Sequence, residues 1–195
     1  MKTPRTYEMS ARADAVVATR TRIAREAMAL FLEHSFEEVT LARIAQASGV
    51  SHQTVLNHFD SKDGVVLAVT ELFKAERLPT RYEAEPGDVA AAIHAVVGDY
   101  EGMGDANFRW AASGLAVLDA MLVDARKGHQ AWLVHMFIDR LPTAPAARRR
   151  AIHALHAATD VYTWKLLRRD LRLSRKQTEK IMADLVVGIL EGTKR

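Results

Sequence analysis

The 195-residue sequence contains no cysteine. Without thiols the chain can form no disulfide, no thiolate metal site and no cysteine nucleophile. Aromatic residues are scarce at 7%, there are only five prolines, and no segment shows the run of alternating β-branched residues typical of a strand. Because 49% of the residues are hydrophobic, and because alanine, leucine, valine and charged residues dominate the composition, we expect an all-α protein with a substantial core.

The sequence also lacks long apolar runs. None approaches the roughly 18 residues of a membrane span, and the polar N-terminus has no apolar segment of the kind found in secretory leaders. We therefore expect a cytoplasmic protein with no membrane partner. The net charge of +3 permits DNA binding but is too small to argue for it.

The most informative segment of the chain lies between residues 19 and 74. Its centre has four residues at the spacing of one helical face: Leu41, Ile44, Ala45 and Ser48. Gly49 follows, where a left-handed residue ends a helix at low cost. Ser51 is then suited to cap the next helix. The pattern predicts two short helices joined by a tight turn.

The second short helix has one apolar and one polar side. Val55 and Phe59 are predicted to anchor it inward. The residues left facing outward are short and polar: His52, Gln53, Thr54, Asn57 and His58. Such a helix, presented after a tight turn, is typical of the recognition helix of a helix-turn-helix, which enters the major groove of DNA.

This segment resembles the DNA-binding domain of TetR-type (TetR/AcrR) transcriptional regulators. The residues that carry the resemblance are Ile23, Ala27, Leu30, Phe31, Phe36, Val39, Thr40, Ile44, Ala45, Gly49, Val50, Ser51, Thr54, His58, Phe59, Ser61 and Lys62. Ser35 and Gln53 depart from frequent glycine positions of the family. Leu56 stands where a tyrosine often contacts the DNA backbone, and here we expect it to pack instead.

The resemblance implies an N-terminal three-helix bundle with the helix-turn-helix, followed by a C-terminal helical domain for ligand binding and dimerisation, with about nine helices in total. We place a partly disordered arm at residues 1–18, the DNA-binding domain at 19–66, a connecting helix and linker at 67–85, and the effector-binding and dimerisation domain at 86–195. The helix from about 62 to 77 joins the two domains. No cofactor is expected.

The predicted DNA contacts fall into two groups. Gln53 and Asn57 are best suited to specify bases, because an amide offers a donor and an acceptor together to adenine. Thr40, Arg43 and Lys62 are expected to position the protein on phosphates. The whole predicted set is Thr40, Arg43, Ser51, His52, Gln53, Thr54, Asn57, His58 and Lys62. Since one short helix contacts few base pairs, specific binding implies a homodimer on a palindromic operator with half-sites ~34 Å apart or a multiple of that.

In the second half, we expect Pro86 to open a helix that ends at Gly102–Gly104, then helices over 106–124, 128–141, 144–169 and 174–190. The helix at 144–169 has two partly apolar faces, which suggests one ligand cavity and one partner subunit. The predicted effector pocket is Met103, Phe108, Trp110, Met121, Trp132, Met136, His156, Asp160 and Tyr162. The predicted dimer interface is Ile181, Leu185, Gly188 and Ile189, where Gly188 permits close approach.

The favoured function is a dimeric transcriptional repressor that a small, largely apolar effector releases from double-stranded operator DNA. One alternative is a DNA-binding regulator controlled by a protein partner, without a small-molecule pocket. Another is a small helical enzyme, although the sequence has no nucleophile elbow, HExxH or phosphate loop. His153, His156 and Asp160 have the spacing of metal ligands on one helix, but only one helix supplies the cluster, so a pocket rim or a hydrogen-bonded pair is the favoured interpretation.

Overall fold

The computed structural model describes residues 5–112 and 116–192. Within these ranges the secondary structure is helical with no strand, which confirms the all-α prediction. The chain divides into two compact units, unit 1 and unit 2, with the boundary between Lys74 and Ala75. No helix in the described ranges is both long enough and apolar enough to cross a bilayer.

Unit 1 contains α1 (Arg5–Glu33), α2 (Leu41–Ala47), α3 (His52–Phe59) and most of α4 (Lys62–Arg81). Helix α1 already begins at Arg5, so residues 5–18, which we expected in a partly disordered arm, are helical; residues 1–4 lie outside the described ranges. Residues from all four helices and the loop before α2 are buried in this unit: Ile23, Ala24, Ala27, Phe31, Val39, Ile44, Ala45, Val55, Phe59, Val65, Val66 and Val69.

Unit 2 contains α5 (Val89–Ala112), α6 (Ala116–Phe137), a 3₁₀ turn (Ile138–Arg140), α7 (Pro145–Thr159), α8 (Val161–Lys165), a π-helical turn (Leu166–Asp170) and α9 (Arg175–Gly192). One hydrophobic cluster joins the helices of this unit. Its largest fully buried side chains are Trp132 of α6, Trp164 of α8 and Phe137 of α6.

The break predicted at Gly102–Gly104 is wrong. Helix α5 continues through these glycines to Ala112. A Cβ on Gly104 would lie 2.4 Å from Cζ3 of Trp164, so the missing side chain makes room for the indole of α8. The predicted break near residue 128 is also wrong, because α6 runs through Gly128, whose Cβ would meet no atom within 4 Å. A helical glycine costs only about 1 kcal/mol relative to alanine, which packing offsets.

The single helix predicted over 144–169 is interrupted at Asp160. Its backbone is extended (ψ 154°), and its carboxylate accepts the Tyr162 amide at 2.9 Å, so Asp160 caps α8. Just before it, the Thr159 hydroxyl donates to the Leu155 carbonyl at 2.8 Å. Threonine and aspartate side chains compete with the helical ladder for backbone groups, and here they divide one periodic sequence into two helices.

Two ion pairs fasten the π-helical turn to α5. Arg168 donates to both oxygens of Glu101, at 2.6 and 2.9 Å, and Arg169 donates to both oxygens of Asp105. The indole Nε1 of Trp164 also donates to Glu101, at 3.0 Å. The hydrogen bond from Arg168 is the main cause that lowers the pKa of Glu101 to about 2. These contacts attach Trp164 and the π-helical turn to α5.

The segment between α4 and α5 also differs from expectation. Helix α4 continues past Pro79 to Arg81, and α5 begins at Val89 rather than at Pro86. The Asp88 carboxylate accepts the Ala91 amide at 3.0 Å, which makes Asp88 the cap of α5. Because Asp88 supplies the capping oxygen that Pro86 cannot, the helix starts at the later position.

Candidate nucleic-acid interface

Two hydroxyl side chains start the short helices of unit 1. The Thr40 hydroxyl accepts the Arg43 amide at 3.1 Å at the start of α2, and the Ser51 hydroxyl accepts the Thr54 amide at 3.0 Å at the start of α3. Both caps have the extended backbone that an N-cap requires. The capping role that the sequence predicts for Ser51 is therefore present, and Thr40 has the same role at the start of α2. Their DNA contacts stay predictions.

The turn between α2 and α3 has the geometry that its sequence indicates. Gly49 has a φ of +63°, in the left-handed region that favours glycine. The buried hydroxyl of Ser48 donates to the Ile44 carbonyl at 2.7 Å and closes the end of α2. Two backbone bonds, from Gly49 to Gln46 and from Val50 to Ala45, complete the turn. The chain therefore reverses tightly and presents α3 immediately.

Helix α3 has an inner and an outer side, as predicted. Val55 and Phe59 are buried. Of the five polar residues expected outside, the structure exposes His52, Gln53 and Asn57 fully and Thr54 and His58 partly.

The two amides that we expect to contact bases are hydrogen-bonded to each other, with Gln53 Nε2 donating to Asn57 Oδ1 at 2.9 Å. The bond leaves the carbonyl of Gln53 and the NH₂ of Asn57 available on the outer side of α3.

Two of the predicted phosphate contacts are engaged within unit 1. The Arg43 guanidinium contacts Nε2 of His34 at 2.6 Å. The Lys62 ammonium donates to the Phe36 carbonyl and lies 3.8 Å from the centre of the Phe36 ring. Burial lowers the pKa of Lys62 from its ordinary value. Both cations therefore stabilise the loop that precedes α2, and their remaining N–H groups are the ones left for a phosphate.

Arg20 is a further functional candidate that the sequence did not reveal. It lies on α1, donates to the backbone carbonyl of His58 and stacks over the Phe59 ring at 4.3 Å. The partners are 38 residues apart in sequence. No local pattern predicts such a contact, although an arginine one turn before the buried Ile23 is a weak signal.

The predicted effector residues lie in unit 2 at different depths. Trp110, Trp132 and Met136 are buried, and the last two belong to the core cluster. Met103, Phe108 and Met121 are partly buried, and Tyr162 is 48% exposed. Phe108 and Tyr162 meet edge to face with ring centres 5.7 Å apart. The structure thus brings Phe108 and Tyr162 together but places Trp132 and Met136 among packing residues.

A series of hydrogen-bonded polar side chains lies inside unit 2. Arg81 pairs with Asp99 at 2.5 Å and donates to Nδ1 of His129 at 3.1 Å. Because a guanidinium has only donors, neutral His129 carries its proton on Nε2 and donates to the Thr159 hydroxyl, at 2.8 Å. Burial and the neighbouring Arg81 lower the pKa of His129 to about 3, so it is neutral at pH 7.

The predicted pair of His156 and Asp160 lies beside this series of hydrogen bonds. Their side chains meet at 3.1 Å, and the His156 ring lies edge-on to His129 with centres 4.9 Å apart. Nδ1 of His156 is buried and has no hydrogen-bond partner. His153 is exposed, and no cluster of three metal-ligating side chains occurs in the described part of the chain. A hydrogen-bonded pair is therefore the arrangement present.

The predicted dimer residues lie on α9. Met182, Val186 and Leu190 face the core of unit 2. Ile181 and Leu185 are exposed at 36% and 45%, and a Cβ on Gly188 would meet no atom within 4 Å. Ile189 packs partly against the core. Helix α9 thus has an outward stripe of Ile181, Leu185 and Gly188 that the unit itself does not cover.

Comparison with known proteins connects this geometry to a family. Residues 23–69 match the family model of bacterial regulatory proteins of the tetR family. Over 61 residues the chain is 41% identical to the HTH-type transcriptional regulator TcmR of Streptomyces glaucescens. The matched part is 29% of this chain and 27% of TcmR, so the chain spans about a quarter of the length of that curated relative.

Solved structures resemble the whole fold. A TetR-family transcriptional regulator from Streptomyces coelicolor superposes with a TM-score of 0.72 over 91% of this chain and 88% of its own, at 16% identity. A second TetR-family regulator from that organism gives 0.70 over 100% and 98%, at 17% identity. A transcriptional regulator from Rhodococcus gives 0.65 over 89% and 96%, at 21% identity. At these identities the likeness establishes the fold alone.

The capped helix pair, its glycine turn and the outward polar face of α3 have the geometry of a helix-turn-helix. The match over residues 23–69 makes this segment similar to the corresponding part of the tetR family of bacterial regulatory proteins. The relatives named above are transcriptional regulators.

Proposed function

We propose that this protein is a cytoplasmic, dimeric repressor that binds a palindromic operator through α3 and leaves it when a small, largely apolar effector binds unit 2. The observation that carries the proposal is the outer side of α3. His52, Gln53 and Asn57 are exposed there, while Val55 and Phe59 hold the helix to its own unit.

In this proposal the bases are specified by Gln53 and Asn57. Their mutual hydrogen bond limits the rotamers of both side chains before DNA arrives. An amide contact to a base is worth roughly 1–3 kcal/mol of discrimination. Thr54 is assigned a contact to a thymine methyl group or a phosphate. His52 and His58 are assigned to phosphates near the two ends of α3.

The dimer is assigned to α9. An apolar stripe that a folded unit leaves uncovered is a candidate for burial against a second copy. Ile181 and Leu185 supply apolar area, and Gly188 lets two backbones approach closely. Two copies related by a two-fold axis then present two α3 helices to half-sites about 34 Å apart.

Effector release follows from thermodynamic linkage. A ligand that binds more tightly to a dimer with wrongly spaced α3 helices lowers DNA affinity by the same factor, typically 1–3 kcal/mol. We assign the ligand to the neighbourhood of Phe108, Tyr162, His156 and Asp160. The buried Nδ1 of His156 supports this choice, since it is a hydrogen-bonding atom without a partner in a chain of satisfied groups. The helix that carries the chain from unit 1 to unit 2 is α4, and we assign the coupling to it.

The test is selection of bound duplexes from a random-sequence pool, followed by sequencing. The native chain should enrich inverted repeats, and the double variant Gln53→Ala, Asn57→Ala should lose the enrichment while keeping its circular dichroism spectrum. Gln46→Ala is the matched control, because Gln46 is an exposed amide on α2. Unchanged enrichment by the double variant would refute the role of α3, and unrelated single sites would refute the symmetric dimer.

A second selection addresses control. Repeating it with a panel of small apolar compounds should reveal one that lowers enrichment. If no compound acts but a purified protein partner does, the regulator belongs to the class controlled by a protein.

A further inference from the structure

The C-terminal end of α3 is held by a residue from outside the helix-turn-helix. Arg20 of α1 directs its guanidinium at the carbonyl of His58, the residue before the last position of α3. The same guanidinium lies 4.3 Å from the centre of the Phe59 ring, which is 4% exposed. One side chain thus contacts both the backbone and the buried anchor of the last turn.

This contact satisfies a need of the helix end. The last carbonyls of an α-helix have no partner within the helix, and the helix dipole places partial negative charge on them. Asp60 donates to the Leu56 carbonyl and Ser61 to the Phe59 carbonyl. The His58 carbonyl lies between these two, and Arg20 supplies its donor and a positive charge.

The neighbouring backbone leaves little freedom at this end of α3. Asp60 has a φ of 62°, an unusual value for a residue with a side chain. A Cβ on Gly64 would lie 2.0 Å from the Phe59 carbonyl oxygen, so α4 begins directly against the end of α3. A small displacement of the last turn would therefore have to move the rest of α3.

We propose that Arg20 is a positioning residue for DNA recognition: it fixes the angle at which α3 presents Gln53 and Asn57, without itself binding a phosphate. The inference rests on the proposed function of α3. One nitrogen of the Arg20 guanidinium donates to the His58 carbonyl, and the group stacks over the Phe59 ring of its own unit. The loss of Arg20 should therefore lower selectivity and leave the number of phosphate contacts unchanged.

The experiment compares Arg20→Gln, Arg20→Lys and the control Arg22→Gln. Arg22 is exposed on α1 two residues further on, so its variant removes the same charge. Affinity is measured by fluorescence anisotropy at several salt concentrations. One probe is the best duplex that the native chain selects from a random pool, and the other is a random-sequence duplex of the same length.

We expect Arg20→Gln to lower the ratio of selected-duplex to random-duplex affinity by about tenfold, the loss that follows when one amide contact is misplaced. The salt slope should stay unchanged, and Arg22→Gln should keep the native ratio. Arg20→Lys should fall between, because lysine keeps the charge but lacks the planar fork. If Arg20→Gln does not fold, the lysine variant and amide hydrogen exchange of the last turn of α3 carry the test.

Two results would overturn the proposal. A salt slope smaller by about 0.9, with equal losses on both duplexes, would make Arg20 a phosphate contact. A lower melting temperature with an unchanged ratio would make its role purely structural. If the native chain itself selects no sequence, the proposed function fails rather than this inference.

Discussion

The two units of this protein differ in how much of their structure follows from local contacts. In unit 1 the starts of α2 and α3 and the turn between them are local: Thr40 and Ser51 accept amides three residues ahead, and Gly49 turns the chain with a positive φ. In unit 2 several features depend on distant partners, such as Gly104 beneath Trp164 and Arg168 paired with Glu101. Local chemistry can be recognised in a sequence, whereas contacts across some 60 residues cannot.

The first test of this difference, which we expect to change the free energy of unfolding most, is at two glycines of unit 2. Gly104→Ala should lower the free energy of unfolding by about 1–3 kcal/mol, because its Cβ would overlap the fully buried Trp164. Gly128→Ala is the matched control and should raise it by up to about 1 kcal/mol, since that Cβ meets nothing within 4 Å. Urea unfolding monitored by tryptophan fluorescence measures both. Stabilisation by both alanines would show that Gly104 is not a packing glycine.

A second test uses the buried histidine of unit 2. The pKa of His129 falls from the ordinary histidine value of 6.5 to about 3 in the folded chain, so the unfolded chain takes up this proton first as the pH falls. Its stabilising contribution is complete above pH 6.5 and is lost between pH 6.5 and 3, with a slope of up to about 1.4 kcal/mol per pH unit.

His129→Gln keeps a donor and an acceptor but cannot titrate. Its unfolding free energy should therefore depend less steeply on pH over that window than that of the native chain. Equal slopes for the two proteins in urea titrations at pH 7, 6 and 5 would show that His129 is not held neutral by burial.

The smallest test compares one cap from each unit. Ser51 caps α3, and Ser174 forms a reciprocal pair with Gln177 before α9, with Gln177 N–H donating at 3.3 Å and Ser174 N–H donating back at 2.9 Å. Each serine-to-alanine change should cost about 1 kcal/mol. Thermal unfolding should show similar losses in both units, because a cap is local wherever it occurs. A loss confined to one unit would contradict this.

Much of unit 1 could be predicted from the sequence. Helix α3, its serine cap and its two buried anchors are as expected. What the pattern did not show is the engagement of its cations: Arg43 meets His34, Lys62 meets Phe36, and Arg20 meets the end of α3. Periodicity tells which side a residue is on, but the partner of a long, flexible cation depends on what folding brings near it.

The all-α class of unit 2 was predicted correctly, but several of its helix boundaries were not. The spacing of His156 and Asp160 on one helical face did bring them together, at 3.1 Å. The His156 ring contacts His129, and hydrogen bonds connect Arg81 through His129 to Thr159. These contacts join α4, α6 and α7. No regular sequence spacing relates these residues, so only the packed structure of unit 2 shows that they are hydrogen-bonded in series.

The sequence by itself determined an all-α protein with a capped helix-turn-helix and an outward polar face on α3, because capping and periodicity act over a few residues. The tertiary structure alone decided that Gly104 admits an indole and that Arg20 meets the last turn of α3. Those outcomes depend on close packing and on the groups that lie within reach of a charged side chain. Both are set only when distant segments of the chain are in contact.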